Sequence, residues 1–242
     1  MSRINSYYND FYRELSVIDE ENNNFIKIED FLPKLHGEEC FLDIGCGHGG
    51  VCSELINKGY NVSGIEINDS AIKSLQSKGY KTYRRDITKP LNINSKFNII
   101  LILDVLEHLF DPVHLLQEAK KIVKNNGHII VTIPLYFDII DRLKILFTGN
   151  IISMDNLCYG KENYLKFRSY NYDHIRFFRP KDILEIGEML DLYADKIEFN
   201  STSYLGESRF IKLFFKIIAN KFTVKYSPNL LAHSMKIRWQ VR

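Results

Sequence analysis

An α/β fold built on a doubly wound, mostly parallel sheet is predicted by three features of the sequence. Apolar runs of strand length alternate with amphipathic helical stretches between residues 40 and 134, the pattern left by successive right-handed crossovers. The run FNIILILD, residues 97–104, is apolar without alternation, which suits a strand covered on both faces. FLDIGCGHGG, residues 41–50, leads a buried strand directly into a glycine-rich turn, at the strand end where such sheets bind ligands.

The elements follow in order. Residues 1–36 form a predicted N-terminal helical segment, with aromatic Tyr7, Tyr8, Phe11 and Tyr12 and a stop near Pro33. Strand one is Cys40–Ile44, followed by a helix from Gly50 to Lys58 that Gly59 ends. YNVSGIE is strand two, and NDSAIKSLQSKG a helix capped by Asn68 or Asp69 and stopped by Gly79. YKTYRRD is strand three and FNIILILD strand four. DPVHLLQEAKKIVKNNG reads as one helix with Pro112 in its first turn, and HIIVTIP as strand five. The core thus spans 37–134. Residues 135–180 carry no clear strand and read as a helical insertion or lid on the acceptor side. Residues 181–242 complete the sheet: a helix at RPKDILEIGEML, a strand at DLYADKIEF, a lid helix near 208–222 and a last strand at HSMKIRWQV.

The bulk properties narrow the function. The chain has 242 residues, 45% hydrophobic, with a net formal charge of +2, enough for one sizeable domain and too near neutral for wholesale nucleic-acid binding. The start lacks the apolar core of a signal peptide and no run is long and apolar enough to span a bilayer. Cys40, Cys46, Cys52 and Cys158 include no C-x-x-C pair. A cytoplasmic protein with reduced, structural thiols is the expectation.

The glycine turn has two readings. Gly45, Gly47 and Gly50 spell the dinucleotide pattern, whereas Gly45, Gly47 and Gly49 spell a tighter loop for an amino-acid-bearing nucleoside. Glu66 at the end of strand two stands where an acid grips ribose hydroxyls, and Asp86 after strand three where a carboxylate accepts from an adenine amino group. Neither separates the two readings. DVLEH at the end of strand four does, because a dinucleotide dehydrogenase has no use for an acid–imidazole cluster there.

With FLDIGCGHGG, GIEIN, Asp86 and DVLEHL in place, the chain resembles the class I S-adenosylmethionine-dependent methyltransferases over residues 35–200. The resemblance implies a Rossmann-like, seven-stranded sheet with an antiparallel last strand. It implies that Gly45 and Gly47 hold the methionine portion of S-adenosylmethionine by backbone contacts, that Glu66 with Ile67 binds the ribose, and that Asp86 and the Ile87 amide read adenine. Leu103 would contact the methionine amine, and Asp43 would orient the loop or bind that amine through water. Gly50 then reads as the small residue that lets the first helix pack against the sheet.

Asp104, Glu107 and His108 stand at i, i+3 and i+4, one face of a helical turn, and His174 follows later. This is similar to the metal-dependent O-methyltransferases of the small-RNA and ubiquinone-pathway types, which carry E-x-x-E-H and a distant His. The resemblance implies a divalent ion (Mn²⁺, Fe²⁺, Zn²⁺ or Mg²⁺) on these four residues. Without a metal, Glu107 and His108 would cap the turn, shape the pocket or act as general base. His48, His114 and His128 are read as loop, helix-surface and strand-start residues.

The expected acceptor is a small molecule bound by Tyr136, Tyr172, Arg176 and Arg179 in the insertion, since tyrosines stack on rings and arginines grip phosphate or carboxylate. The arginines favour a phosphorylated or nucleotide-linked sugar, such as a surface-polysaccharide precursor, over a membrane-associated quinone precursor. The helix near 208–222 alternates apolar residues with Lys212, Lys216 and Lys221. It is read as a lid rather than a membrane-surface helix. A binding module without chemistry is the alternative of a different class.

Overall fold

The computed structural model describes residues 28–136, 138–149, 174–201 and 217–242. Seven strands form one sheet: β1 (Cys40–Ile44), β2 (Asn61–Glu66), β3 (Lys81–Arg84), β4 (Phe97–Leu103), β5 (Val123–Pro134), β6 (Tyr193–Ser201) and β7 (Ala232–Gln240). Their spatial order is β3-β2-β1-β4-β5-β7-β6. Neighbouring strands from β3 to β5 pair in parallel. β7 inserts between β5 and β6 and runs antiparallel to both. Strand order reverses between β1 and β4, and in an open α/β sheet the crevice beyond that reversal is where ligands bind.

Side-chain alternation along the central strands builds two separate apolar layers. Leu42 and Ile44 of β1 and Ile100 and Ile102 of β4 face one layer. It is filled by Leu115, Leu116, Ala119 and Ile122 of one helix and Ile183 of another. Phe41, Ile99 and Leu101 face the opposite layer, with Val51, Leu55, Leu75, Ile28 and Phe31. An apolar run such as β4 is stable only when both faces are covered in this way.

The helices are α1 (Gly50–Asn57), α2 (Asp69–Ser77), α3 (Pro112–Ile122), α4 (Ile139–Thr148), α5 (Pro180–Met189), α6 (Lys221–Tyr226) and α7 (Pro228–Leu231). Asn68 caps α2, its side chain accepting from the amides of Ser70 and Ala71. Asp111 does the same for α3 through the His114 amide, with Pro112 in the first turn.

Three boundaries differ from those read in the sequence. The helix expected over 111–127 stops at Ile122, and Val123 already pairs with Phe97 of β4. Asn126 turns the chain with a φ of 60°. Gly127 passes so close to its neighbours that a Cβ there would lie 2.8 Å from the Asn98 carbonyl oxygen. Strand three is shorter, ending at Arg84, so Asp86 lies in the following turn. The single lid helix expected near 208–222 does not run through to 222. Ile217 and Ile218 are helical, the chain breaks, and Asn220 caps a separate α6 by accepting from Phe222 and Thr223 amides. The N-terminal stretch 1–27, and most of the insertion and lid (150–173, 202–216), lie outside the described residues.

Helix α5 sits on the sheet through a glycine. A Cβ at Gly187 would stand 2.6 Å from Nε1 of Trp239, a fully buried β7 residue. Gly187→Ala improves helix propensity yet forces the indole aside. The expected net effect is destabilisation by about 1–3 kcal/mol, read by denaturant unfolding. A neutral or stabilising result would contradict this packing.

Candidate active site

The glycine loop is held in place by the strand beside it. The amides of Gly45 and Cys46 both donate to the Ile65 carbonyl, extending the β1–β2 pairing into the turn. Gly45 has a φ of 76°, and a Cβ there would lie 2.8 Å from Val105 Cγ2. Only glycine satisfies both the left-handed backbone and the contact. Gly47, with a φ of 51°, borders open space where its Cβ would be, so the backbone is accessible there. The residue that packs the loop inward is Gly49, not Gly50. Gly49 is buried against Leu75 (2.3 Å from a built Cβ), whereas Gly50 is exposed at the first position of α1.

Glu66, 8% exposed at the end of β2, accepts three backbone hydrogen bonds. Oε2 takes the Gly47 amide at 2.9 Å; Oε1 takes the amides of Ile67 at 2.6 Å and Asn68 at 2.8 Å. It therefore fastens the loop to β2. A carboxylate has about four acceptor sites, which leaves capacity for a ligand hydroxyl. Asp43 lies behind the loop, 4% exposed, with the Cys52 thiol donating to Oδ2 at 3.5 Å. Burial pushes its carboxyl up to about 7; the Cys52 bond opposes this and the charge of Glu66 adds to it. The Cys52 thiol is held well above its ordinary range, first by its hydrogen bond with Cys46 and then by burial. Both thiols are buried packing groups rather than nucleophiles. Cys158 lies outside the described residues.

Asp86 is committed to a turn. Its Oδ1 accepts from the Thr88 amide and hydroxyl, and Oδ2 pairs with Lys89 at 3.1 Å. Burial would raise its carboxyl, but the Thr88 bonds and Lys89 outweigh that and hold it below the usual range. Ile87 and Leu103 are half-buried beside it and at the end of β4.

Beyond β4 the chain departs from the expected helical turn. Asp104 takes a left-handed φ of 52°, and a short 3-10 turn, Leu106–His108, follows. Its amide donates to Thr132, and its Oδ1 accepts from the Thr132 hydroxyl at 2.8 Å. Glu107, His108 and His174 converge: one ligand atom from each lies within 4.8 Å of the other two. Asp104, the fourth residue of the expected set, is not part of this group. The i, i+3, i+4 argument needed a helix, and the left-handed residue directs this carboxylate to β5 instead. His174 reaches the cluster because the amides of Ile175 (2.9 Å) and Arg176 (3.0 Å) both donate to the Glu107 carbonyl. The His108 and His174 rings meet edge to face, centroids 4.7 Å apart, and Glu107 is 1% exposed.

The acceptor-binding expectations fare differently. The Arg176 guanidinium donates to the carbonyls of Leu109 and Phe110, pinning the loop after the 3-10 turn. Arg179 folds onto its own helix, its guanidinium pairing with Asp182 at 2.6 Å and its amide donating to the same carboxylate. Both guanidinium groups thus have partners within the protein. Tyr136 hydrogen-bonds to His174 Nδ1. Tyr172 lies outside the described residues. Two residues escaped the sequence reading: Thr132, the polar residue that interrupts the apolar run from Ile129 to Ile133, and Phe177, packed edge-on against Tyr136 at 4.8 Å. Residues 217–231 line an apolar groove of about 470 Å³ through Ile217, Ile218, Phe222, Tyr226 and Leu231. Among the described residues no helix is long and apolar enough to cross a membrane.

Sheet order, the glycine loop and the acid at the end of β2 that fastens it are those of the class I S-adenosylmethionine-dependent methyltransferase architecture. A solved S-adenosylmethionine-dependent methyltransferase from Archaeoglobus fulgidus superposes with a TM-score of 0.59 at 19% identity, covering 89% of this chain and 92% of that one. The phosphoethanolamine N-methyltransferase 2 of Haemonchus contortus, solved with S-adenosyl-L-methionine, gives 0.57 at 13% identity, covering 91% and 52%. Both likenesses concern the fold. A family model described as a methyltransferase domain matches residues 19–196, and the chain belongs to that family. Among curated relatives, the ubiquinone biosynthesis O-methyltransferase of Vibrio cholerae is 25% identical over 153 residues, 60% of this chain and 57% of the relative. That of Actinobacillus pleuropneumoniae is 29% identical over 170 residues, 65% and 67%. The chain thus matches little more than half the length of the Vibrio relative.

Asp43 makes the stability of the ligand-free protein depend on pH. Its folded pKa of about 7 lies above the ordinary 3.8, so the native state binds the proton more tightly than the unfolded chain. This contribution is full at low pH and is lost as pH rises from about 4 to 7, by at most about 1.4 kcal/mol per pH unit. Measured by denaturant unfolding across that window, Asp43→Asn should lack this part of the slope. Parallel profiles for the two proteins would contradict it.

Proposed function

We propose that this protein is an S-adenosylmethionine-dependent O-methyltransferase of a small hydroxylated molecule. The observation that carries the reading is the convergence of Glu107, His108 and His174 beyond the end of β4, next to the glycine loop after β1. When bound, S-adenosylmethionine supplies a methyl carbon already activated by its sulfonium, so alignment and removal of the acceptor's proton are the protein's tasks. The cradle fits it. Gly45 is exposed and Gly47 half-buried, Glu66 keeps one acceptor site on Oε2 for a ribose hydroxyl, and buried Asp43 stands behind the loop with a carboxyl whose charge a nearby cation would favour. Asp86 and the Ile87 amide would meet adenine only once the Thr88–Lys89 contacts share the carboxylate.

Proton removal falls to the cluster. A Glu107 carboxylate oxygen or a His108 ring nitrogen would take the proton of the acceptor hydroxyl, and the acceptor's own oxygen then bonds the methyl carbon as the carbon–sulfur bond breaks. One carboxylate and two imidazoles also suit a divalent ion such as Mn²⁺, Fe²⁺ or Zn²⁺, with Mg²⁺ served less well. Such an ion on Glu107, His108 and His174 would supply positive charge that lowers the acceptor's pKa.

For the acceptor, a ring-borne hydroxyl of the quinone-precursor kind gains support from the ubiquinone biosynthesis O-methyltransferases among the relatives. The aromatic pair Tyr136–Phe177 beside His174 supports it too. A phosphorylated sugar or capsule precursor has less support than the sequence suggested, because Arg176 and Arg179 are engaged elsewhere.

The test measures S-adenosylhomocysteine formation with catechol-type and sugar-phosphate acceptors, with Mn²⁺ and with excess chelator. Glu107→Gln should lower kcat by about 100-fold or more while S-adenosylmethionine affinity stays within about twofold. Full activity in chelator removes the metal from the account. An unimpaired Glu107→Gln protein removes the cluster from it.

A further inference from the structure

Tyr136 was read in the sequence as an acceptor contact, and its geometry assigns it a different task. It follows β5 directly, at a point fixed by the Leu135 amide, which donates to the His233 carbonyl at 2.7 Å. Leu135 itself is buried. The Tyr136 ring is wedged edge-on between His174, centroids 5.9 Å apart at 67°, and Phe177, 4.8 Å apart at 75°. Its hydroxyl hydrogen-bonds to Nδ1 of His174. An imidazole has two nitrogens, and neutral histidine carries a proton on one and a lone pair on the other. With Nδ1 taken by Tyr136, Nε2 is the nitrogen left for the cluster.

We propose that Tyr136 is a positioning residue for His174: its oxygen accepts the Nδ1 proton, fixing the ring plane and leaving the Nε2 lone pair for the cluster. A partner on the remote nitrogen of an active-site or metal-bound imidazole generally sets tautomer and orientation. Here the partner comes from the end of β5. His174 is thereby held from two sides: by Tyr136 on the ring, and by the Ile175 and Arg176 amides on the backbone. The ring in turn presses edge to face on His108. The phenol is a neutral acceptor, so it orients the imidazole without adding the charge that a carboxylate would bring.

The role in metal binding rests on the cluster reading above, whereas the tautomer does not, and the experiment separates them. In ligand-free protein with isotope-labelled histidine nitrogens, the His174 signals are identified by their loss in His174→Gln. Wild type should show His174 protonated at Nδ1 and bare at Nε2, and Tyr136→Phe should shift it toward the Nε2-protonated form. The same tautomer in both proteins overturns the proposal. In parallel, titration with Mn²⁺ alone should show about 10–100-fold weaker binding to Tyr136→Phe, with S-adenosylhomocysteine affinity and melting temperature unchanged. Equal Mn²⁺ affinity also overturns it. If wild type binds no Mn²⁺, the metal reading fails and the tautomer comparison alone decides.

Discussion

Two backbone hydrogen bonds, from the Ile175 and Arg176 amides to the Glu107 carbonyl, are the constraint on which the site depends. They tie the last part of the insertion to the 3-10 turn that follows β4, and so bring His174 against His108. Without them the two imidazoles would belong to unrelated loops. Arg176 reinforces the joint by holding the Leu109 and Phe110 carbonyls, so a residue that looks like a ligand-gripping arginine works as a clamp. Buried backbone groups must find partners, and here meeting that requirement also assembles the cluster.

The cofactor side is built on a similar economy. Glu66 spends one oxygen on the Gly47 amide and the other on its own strand end. The loop is therefore shaped before any ligand arrives, which lowers the ordering cost of binding. Asp43 is the opposing feature, a carboxylate kept in a tight apolar setting with a thiol donor and its charge discouraged. Such a buried acid weakens the empty fold and is best accommodated when a cation approaches the loop.

Much of the sheet was legible in the sequence because β4 and the second half of β5 are apolar runs and the helices carry their own stop, cap and first-turn residues, Gly59, Asn68 and Pro112. The end of α3 was not, because KNNG continues a helical pattern until Asn126 turns left-handed to bring the chain beside β4. In the site, Glu107, His108 and His174 were legible as residue types with the right order. Asp104 departs from the expected helical turn for a local reason: helical spacing says nothing where a single positive φ intervenes. Arg179 and Tyr136 have contacts that the sequence reading did not include. Their partners, Asp182 and His174, compete with any external ligand, and residue type alone does not reveal that competition.

The central claim is that three side chains, and not four, form one reactive centre beyond β4. Anomalous diffraction at the manganese edge, from crystals soaked in Mn²⁺, tests it most directly. The account predicts a single peak bridging a carboxylate oxygen of Glu107 and ring nitrogens of His108 and His174, with Asp104 still bonded to Thr132. A peak ligated by Asp104, or density that places His174 away from Glu107 and His108, would contradict it.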